Sequence, residues 1–398
     1  MFMSKNIVIL LDGTSNEISA DRTNILRLYG VLEKSERQLV YYDPGVGTFG
    51  AENAWLRFWR KAAEVWGMAT GWGLDENVKE AYRFLVENYD RGRRDDGGQE
   101  RDRIYIFGFS RGAYSARVLA GFIHAVGLIE QRNLNLLDYA FRAYKRIGEN
   151  RESDEERQDR NSSFAEVRLY ERMLMPDRPP IRLLGLFDTV ASVIENGRYL
   201  PRLRYHAFTR KNRSVETIRH AVGVDERRTM FRPQLWPTGG EFWSHHFDPA
   251  SAKPQDVREV WFAGVHCDVG GGYPEAKSGL AKLPLKWMID LTRPTGLHYR
   301  DRTVEQIVMG TDRGKPYVQP NPAAPPNNSM NWAWAIVEFI PRRRPQGSTR
   351  PALFGISIPF FERRAIPEGA TIHRSVQDRI RALGTRPPNL PATFSVEE

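Results

Sequence analysis

Residues 103–127 read RIYIFGFSRGAYSARVLAGFIHAVG, and the order of residue types in this stretch decides the fold. Ile104, Tyr105, Ile106 and Phe107 form a short β-branched and aromatic run of the kind that becomes a buried strand. Gly108-Phe109-Ser110-Arg111-Gly112 fits the pattern G-x-S-x-G, and Ala113 to Ile123 carries apolar residues at helical spacing. The order predicted is strand, sharp turn, helix. So tight a turn brings the two backbones together, and a Cβ at either flanking glycine would clash. Ser110 then stands at the apex, and the next N–H, that of Arg111, points where an oxyanion would develop at the helix N-terminus. A serine there can also be a plain helix N-cap. The strand before and the helix after favour a nucleophile.

Working outward, the same alternation recurs. Lys5 to Leu11 is a nearly continuous apolar run closed by Asp12-Gly13-Thr14, Gln38 to Tyr42 is closed by Asp43-Pro44-Gly45, and Ile181 to Phe187 by Asp188-Thr189. His220 to Val224 and Val260 to Val265 read as further strands. Thr23 to Glu33, Leu74 to Tyr89 and Leu283 to Thr292 read as helices. Strands alternating with helices predict an α/β protein, an α/β-hydrolase-like doubly wound and mostly parallel sheet with helical cap insertions. The charge-rich stretch at about 133–180 is the main insertion into a catalytic domain spanning 1–300. Residues 301–398 read as a loop-rich extension packed on the same domain, with a mobile tail after Arg386.

With 398 residues, 41% of them apolar, the chain can bury a sizeable core. No run approaches the roughly 20 apolar residues of a membrane span, and the N-terminus enters a strand-like segment at once, so no cleavable leader is expected. The expected location is the cytoplasm of the producing cell, with any export by a route other than Sec. Cys267 is the only cysteine, which excludes an intrachain disulfide and a thiolate metal cluster. No metal and no cofactor are expected. The net charge of +9 comes mostly from scattered arginines, which favour anionic partners in general. No nucleic-acid-binding motif accompanies them, and no nucleic acid is expected.

A serine hydroxyl needs an adjacent base, itself oriented by a carboxylate. Of the eight histidines, His266 is the best candidate, because it ends a predicted strand and precedes the glycine-rich Gly270-Gly271-Gly272. Asp188 also ends a strand and preserves the chain order Ser, Asp, His; Asp225 is the alternative acid, although its place in DERR suits an arginine pair. A backbone N–H of Gly13 or Thr14 is the candidate second oxyanion donor beside Arg111. In AWLRFWRKAAEVWGMATGW, residues 54–72, Trp59 and Trp66 among basic residues suit a lid or membrane-contact helix, with core packing as the plainer reading.

Together NIVILLDGTSNE, DPGVGT, IFGFSRGAYSARVLAG, LLGLFDTVAS, HAVGVDERR and VWFAGVHCDVGGGY resemble, in order over roughly residues 5–295, the α/β-hydrolase catalytic domain of the first family of type VI secretion lipase effectors. The resemblance implies a serine phospholipase of the A type, with Ser110, Asp188 and His266 matching the family's triad and no cofactor. The partners it implies are a lipid or other ester substrate, a peripheral membrane contact, and a secretion-system or immunity protein. Against the family's pattern, a large additional membrane-anchoring domain is not expected in this chain. The alternative is a non-catalytic protein on the same fold that binds an anionic partner through its basic surface.

Overall fold

The strands that carry the candidate site belong to one sheet. The computed structural model describes residues 4–13, 22–45, 73–92, 100–149, 165, 167–190, 194–196, 201–203, 206–312, 314–344 and 348–398. Within them, β1 (Asn6–Leu11), β2 (Gln38–Asp43), β3 (Arg103–Phe109), β4 (Ile181–Phe187), β5 (Val215–Gly223), β6 (Asp256–Phe262), β7 (Thr371–His373) and β8 (Ser395–Glu397) form an eight-stranded sheet. Its order is β8-β7-β6-β5-β4-β3-β1-β2, and every pairing is parallel.

Both faces of the sheet are covered, which is why its strands read as continuous apolar runs rather than alternating ones. The two-residue period of a strand divides β1 and β3 between two cores. Ile7, Ile9, Leu11, Ile104 and Ile106 pack with helices α2 (Leu74–Asn88), α3 (Arg111–Val126) and α4 (Leu137–Glu149). Val8, Leu10, Tyr105 and Phe107 pack on the opposite face with α1 (Asn24–Val31) and the helix at Lys282–Thr292. Helix α1 starts where Thr23 Oγ1 accepts from Leu26 N at 3.1 Å. Helix α3 is buried on nearly all sides, so the sequence after Ser110 shows no polar face.

Three expectations shift. Strand β5 begins at Val215, five residues before the run read from sequence, because the buried polar residues Thr217 and Arg219 interrupt its apolar pattern. Part of the stretch read as a helical cap insertion belongs to the core: Ala140, Phe141, Ala143 and Tyr144 of α4 are buried against α3. The C-terminal region also extends the sheet, since β7 and β8 flank a helix at Arg374–Leu383 and Ser395–Glu397 forms the edge strand where a mobile tail was read. Strands of three residues are too short to show a period. Among the described residues no helix is long and apolar enough to cross a membrane.

Candidate active site

Ser110 joins β3 to α3 with φ 58° and ψ −121°, a conformation that L-residues rarely adopt. The flanking glycines make room for it. A Cβ on Gly108 would lie 2.4 Å from Gly112 O, and one on Gly112 would lie 2.2 Å from Leu11 O. The turn is therefore pressed against its own helix on one side and the end of β1 on the other. Ser110 N–H donates to Phe187 O at 3.0 Å, which ties the turn to the end of β4. The serine is buried rather than projecting freely.

One residue beyond that tie is Asp188, also in a positive-φ conformation at 43° and fully buried. His266 opens a short helix, α5 (His266–Gly270), after β6, and its ring lies between the other two residues. His266 Nε2 is 2.8 Å from Ser110 Oγ, and Nδ1 is hydrogen-bonded to Asp188 Oδ2. An ionised carboxylate can only accept, so Nδ1 carries the proton and Nε2 presents a lone pair to the serine hydroxyl. Phe109 and Phe231 flank the imidazole at ring distances of 4.8 and 4.9 Å. Burial lowers the proton affinity of His266, and hydrogen bonding and charge from Asp188 restore part of it. Burial acts to raise the Asp188 carboxyl, but the charge of Arg364, followed by the bonds to His266 and Arg364, holds it well below the usual carboxylate range.

The other singled-out residues lie apart from this contact. Asp225 Oδ2 accepts from Gly264 N at 2.7 Å, and it is the neighbouring Glu226 that pairs with Arg228. Asp268 holds the loop, accepting from Val265 N and from Asn327. Arg111 is the first residue of α3. Gly13 N–H donates to Asp12 Oδ1 at 2.7 Å, so it serves an oxyanion only by releasing that carboxylate. Thr14, Trp59 and Trp66 lie outside the described residues.

Sequence reading missed several groups around the imidazole. Glu226 Oε2 accepts from His266 N at 3.1 Å and from Arg228 Nη2 at 2.9 Å. Arg228 in turn stacks over Phe231 at 3.7 Å. From the C-terminal region, Arg364 Nη1 and Nη2 donate to Asp188 Oδ1 and Oδ2 at 2.6 and 2.8 Å. Only the DERR cluster marked any of these in advance, and it marked the wrong acid.

A family model for the catalytic domain of Tle1-like phospholipase effectors of the type VI secretion system matches residues 5–291. The chain belongs to the Tle1-like family. An uncharacterized protein of Saccharomyces cerevisiae is 34% identical to this Tle1-like chain over 238 residues, covering 57% of the chain and 32% of the yeast protein. Among solved structures, an uncharacterized protein from Pseudomonas aeruginosa aligns with a TM-score of 0.37 and 20% identity, covering 74% of this chain and 46% of that one. The Tle1 effector bound to the VgrG spike of the type 6 secretion system aligns with a TM-score of 0.31 and 19% identity, covering 70% and 53%. The Tle1-like chain thus spans about a third of the yeast relative and about half of each solved chain. Asp188 and His266 fall inside the matched residues and Arg364 falls outside them.

Proposed function

We propose that this chain is a serine hydrolase of carboxylic esters, acting on phospholipid acyl esters as a phospholipase of the A type. The observation that carries the reading is the single imidazole bonded to Ser110 Oγ on one side and to the Asp188 carboxylate on the other. Ser110 Oγ attacks the acyl carbonyl while His266 Nε2 takes its proton, and Asp188 holds the ring and stabilises the imidazolium. His266 then returns the proton to the leaving alcohol, leaving an acyl-serine that water cleaves by the same steps in reverse. The N–H of Arg111, at the start of a 16-residue helix, is the first oxyanion donor. Gly13 or Thr14 is the candidate second. A fluorophosphonate probe tests the reading: it labels the wild-type chain and not Ser110→Ala. A folded wild-type chain that resists the probe returns the case to a non-catalytic binding protein.

An exposed apolar surface beside the site supports a lipid substrate. Trp334 packs against Phe231 at 5.3 Å, and Phe231 against His266. Trp334 belongs to a short helix at Trp332–Val337, on which Ile336 is exposed; beyond it Phe339, Ile340 and Leu353 are exposed and Phe354 is 95% exposed. Between Met330 and Phe361 the sequence holds four arginines and one acid, Glu338, which is buried against Thr229. Apolar side chains in a setting of positive charge match an anionic phospholipid surface. A peripheral membrane contact here would bring ester bonds to the mouth of the site. Carriage by a secretion-system component, with a cognate immunity protein, is part of the same reading and follows from the family alone.

A further inference from the structure

The catalytic reading needs Ser110, His266 and Asp188, yet Asp188 has another strong partner that the reading does not use. The guanidinium of Arg364 meets both its oxygens, Nη1 on Oδ1 and Nη2 on Oδ2, in the parallel fork that arginine alone can make. Arg364 is itself buried. Nη1 also donates to Gly223 O at 2.7 Å and Nη2 to Phe231 O, so the end of β5 and the aromatic wall of the site hold the fork in place. Gly223 N–H donates to Asp188 Oδ1 at 2.9 Å, leaving Oδ2 to be shared between Arg364 and His266 Nδ1.

We infer that Arg364 is a positioning residue that holds Asp188, and through it His266, in the base-ready arrangement. The inference rests on the serine hydrolase reading. Two physical consequences follow from the fork. A carboxylate bonded only to an imidazole and one amide turns about its χ2 axis, whereas two parallel bonds pin its plane and aim one oxygen at Nδ1. The guanidinium also shares the Asp188 charge. An unshared buried anion draws a second proton onto His266, whose base function requires a free Nε2 lone pair. Among the described residues, the other charged groups facing this imidazole are Glu226 and Arg228, from the loop after β5, and they pair with each other. On the far side of Asp188, His220 is bonded to Glu259 through Nδ1.

The test is a pH–rate profile on a short soluble ester, read with Arg364→Met, Arg364→Lys, Asp188→Asn and the Met/Asn double variant, each checked for a wild-type-like melt. Arg364→Met should lower kcat on the order of 10- to 100-fold, the scale at which an outer partner of a functional group acts, with little change in KM. Its acid limb should move up by about one pH unit, because the imidazolium gains the full Asp188 charge. Arg364→Lys keeps the charge without the fork, so its acid limb stays near that of wild type while kcat falls to an intermediate value. The double variant should be no slower than Asp188→Asn, since Arg364 acts only through that carboxylate. Removing one side of a buried ion pair can unfold a protein. If Arg364→Met does not fold, Arg364→Lys decides. An unmoved acid limb with losses that multiply in the double variant, or wild-type kcat in Arg364→Lys, overturns the inference. A wild-type chain with neither turnover nor probe labelling removes the hydrolase reading instead.

Discussion

Replacing Ser110 by glycine and by alanine separates backbone strain from chemistry. Both substitutions delete the hydroxyl and its 2.8 Å bond to His266 Nε2, a loss of about 1 kcal/mol in each case. They differ in the backbone. At φ 58° and ψ −121° alanine keeps the strain that serine bears, on the order of 1–3 kcal/mol, and glycine does not. Glycine also has a more mobile unfolded chain, which costs about 0.4–1 kcal/mol. Ser110→Gly should therefore be more stable than Ser110→Ala by about 1–2 kcal/mol and close to the wild-type chain. At an ordinary helical position the order is the reverse, with glycine about 1 kcal/mol below alanine. Urea unfolding with matched m-values measures the difference, and neither variant should react with a fluorophosphonate. An alanine variant as stable as the glycine one would falsify the claim that this turn is strained.

Gly112→Ala places a Cβ 2.2 Å from Leu11 O and 2.4 Å from Asp12 O, backbone atoms that cannot swing away; denaturant unfolding should show a loss of about 2 kcal/mol or more. Acid should destabilise the fold through histidines held neutral by burial: His124 is pushed down to about 3, with His246 and Arg178 adding to it, and His373 to about 4. The unfolded chain protonates these rings near pH 6.5, so stability is complete above that pH and falls as pH drops toward 4; urea midpoints that stay level from pH 7.5 to 4.5 would contradict this. Leu353→Ser with Phe354→Ser should weaken sedimentation with anionic vesicles roughly tenfold or more, because each side chain contributes about 1.5–3 kcal/mol when buried, while hydrolysis of a soluble ester is unchanged. Unchanged vesicle binding, or loss of capture by a protein partner instead, would assign that surface elsewhere.

Much of this arrangement is legible in the sequence, for a physical reason. A parallel sheet covered on both faces needs uninterrupted apolar strands, so Ile7–Leu11, Ile104–Phe107 and Leu183–Phe187 stand out, and the polar residues that end them face one rim. Ser110, Asp188 and His266 are readable as a set because each follows such a run. Arg364 is not, because its partner lies 176 positions away and the residue looks like any of the scattered arginines. Strand β7 escapes notice for a different reason: Thr371–His373 pairs with only two residues of β6 and has no period to read. For Gly13, one of the two candidate second donors, what the sequence does not show is that the Asp12 side chain turns back onto its amide.

The strand order also bears on how the chain emerges from the ribosome. From β3 outward the sheet is laid down in the order of synthesis, β4 beside β3, then β5, β6, β7 and β8. Each parallel pairing closes a long loop, so each new strand docks slowly onto an edge left by the last. The serine turn is made first, its imidazole follows 156 residues later, and the guanidinium that grips the acid comes later still. A half-made chain therefore holds the serine turn without the His266 imidazole that bonds to it in the finished fold. The set of hydrogen bonds around the serine is complete only once Arg364 has been made.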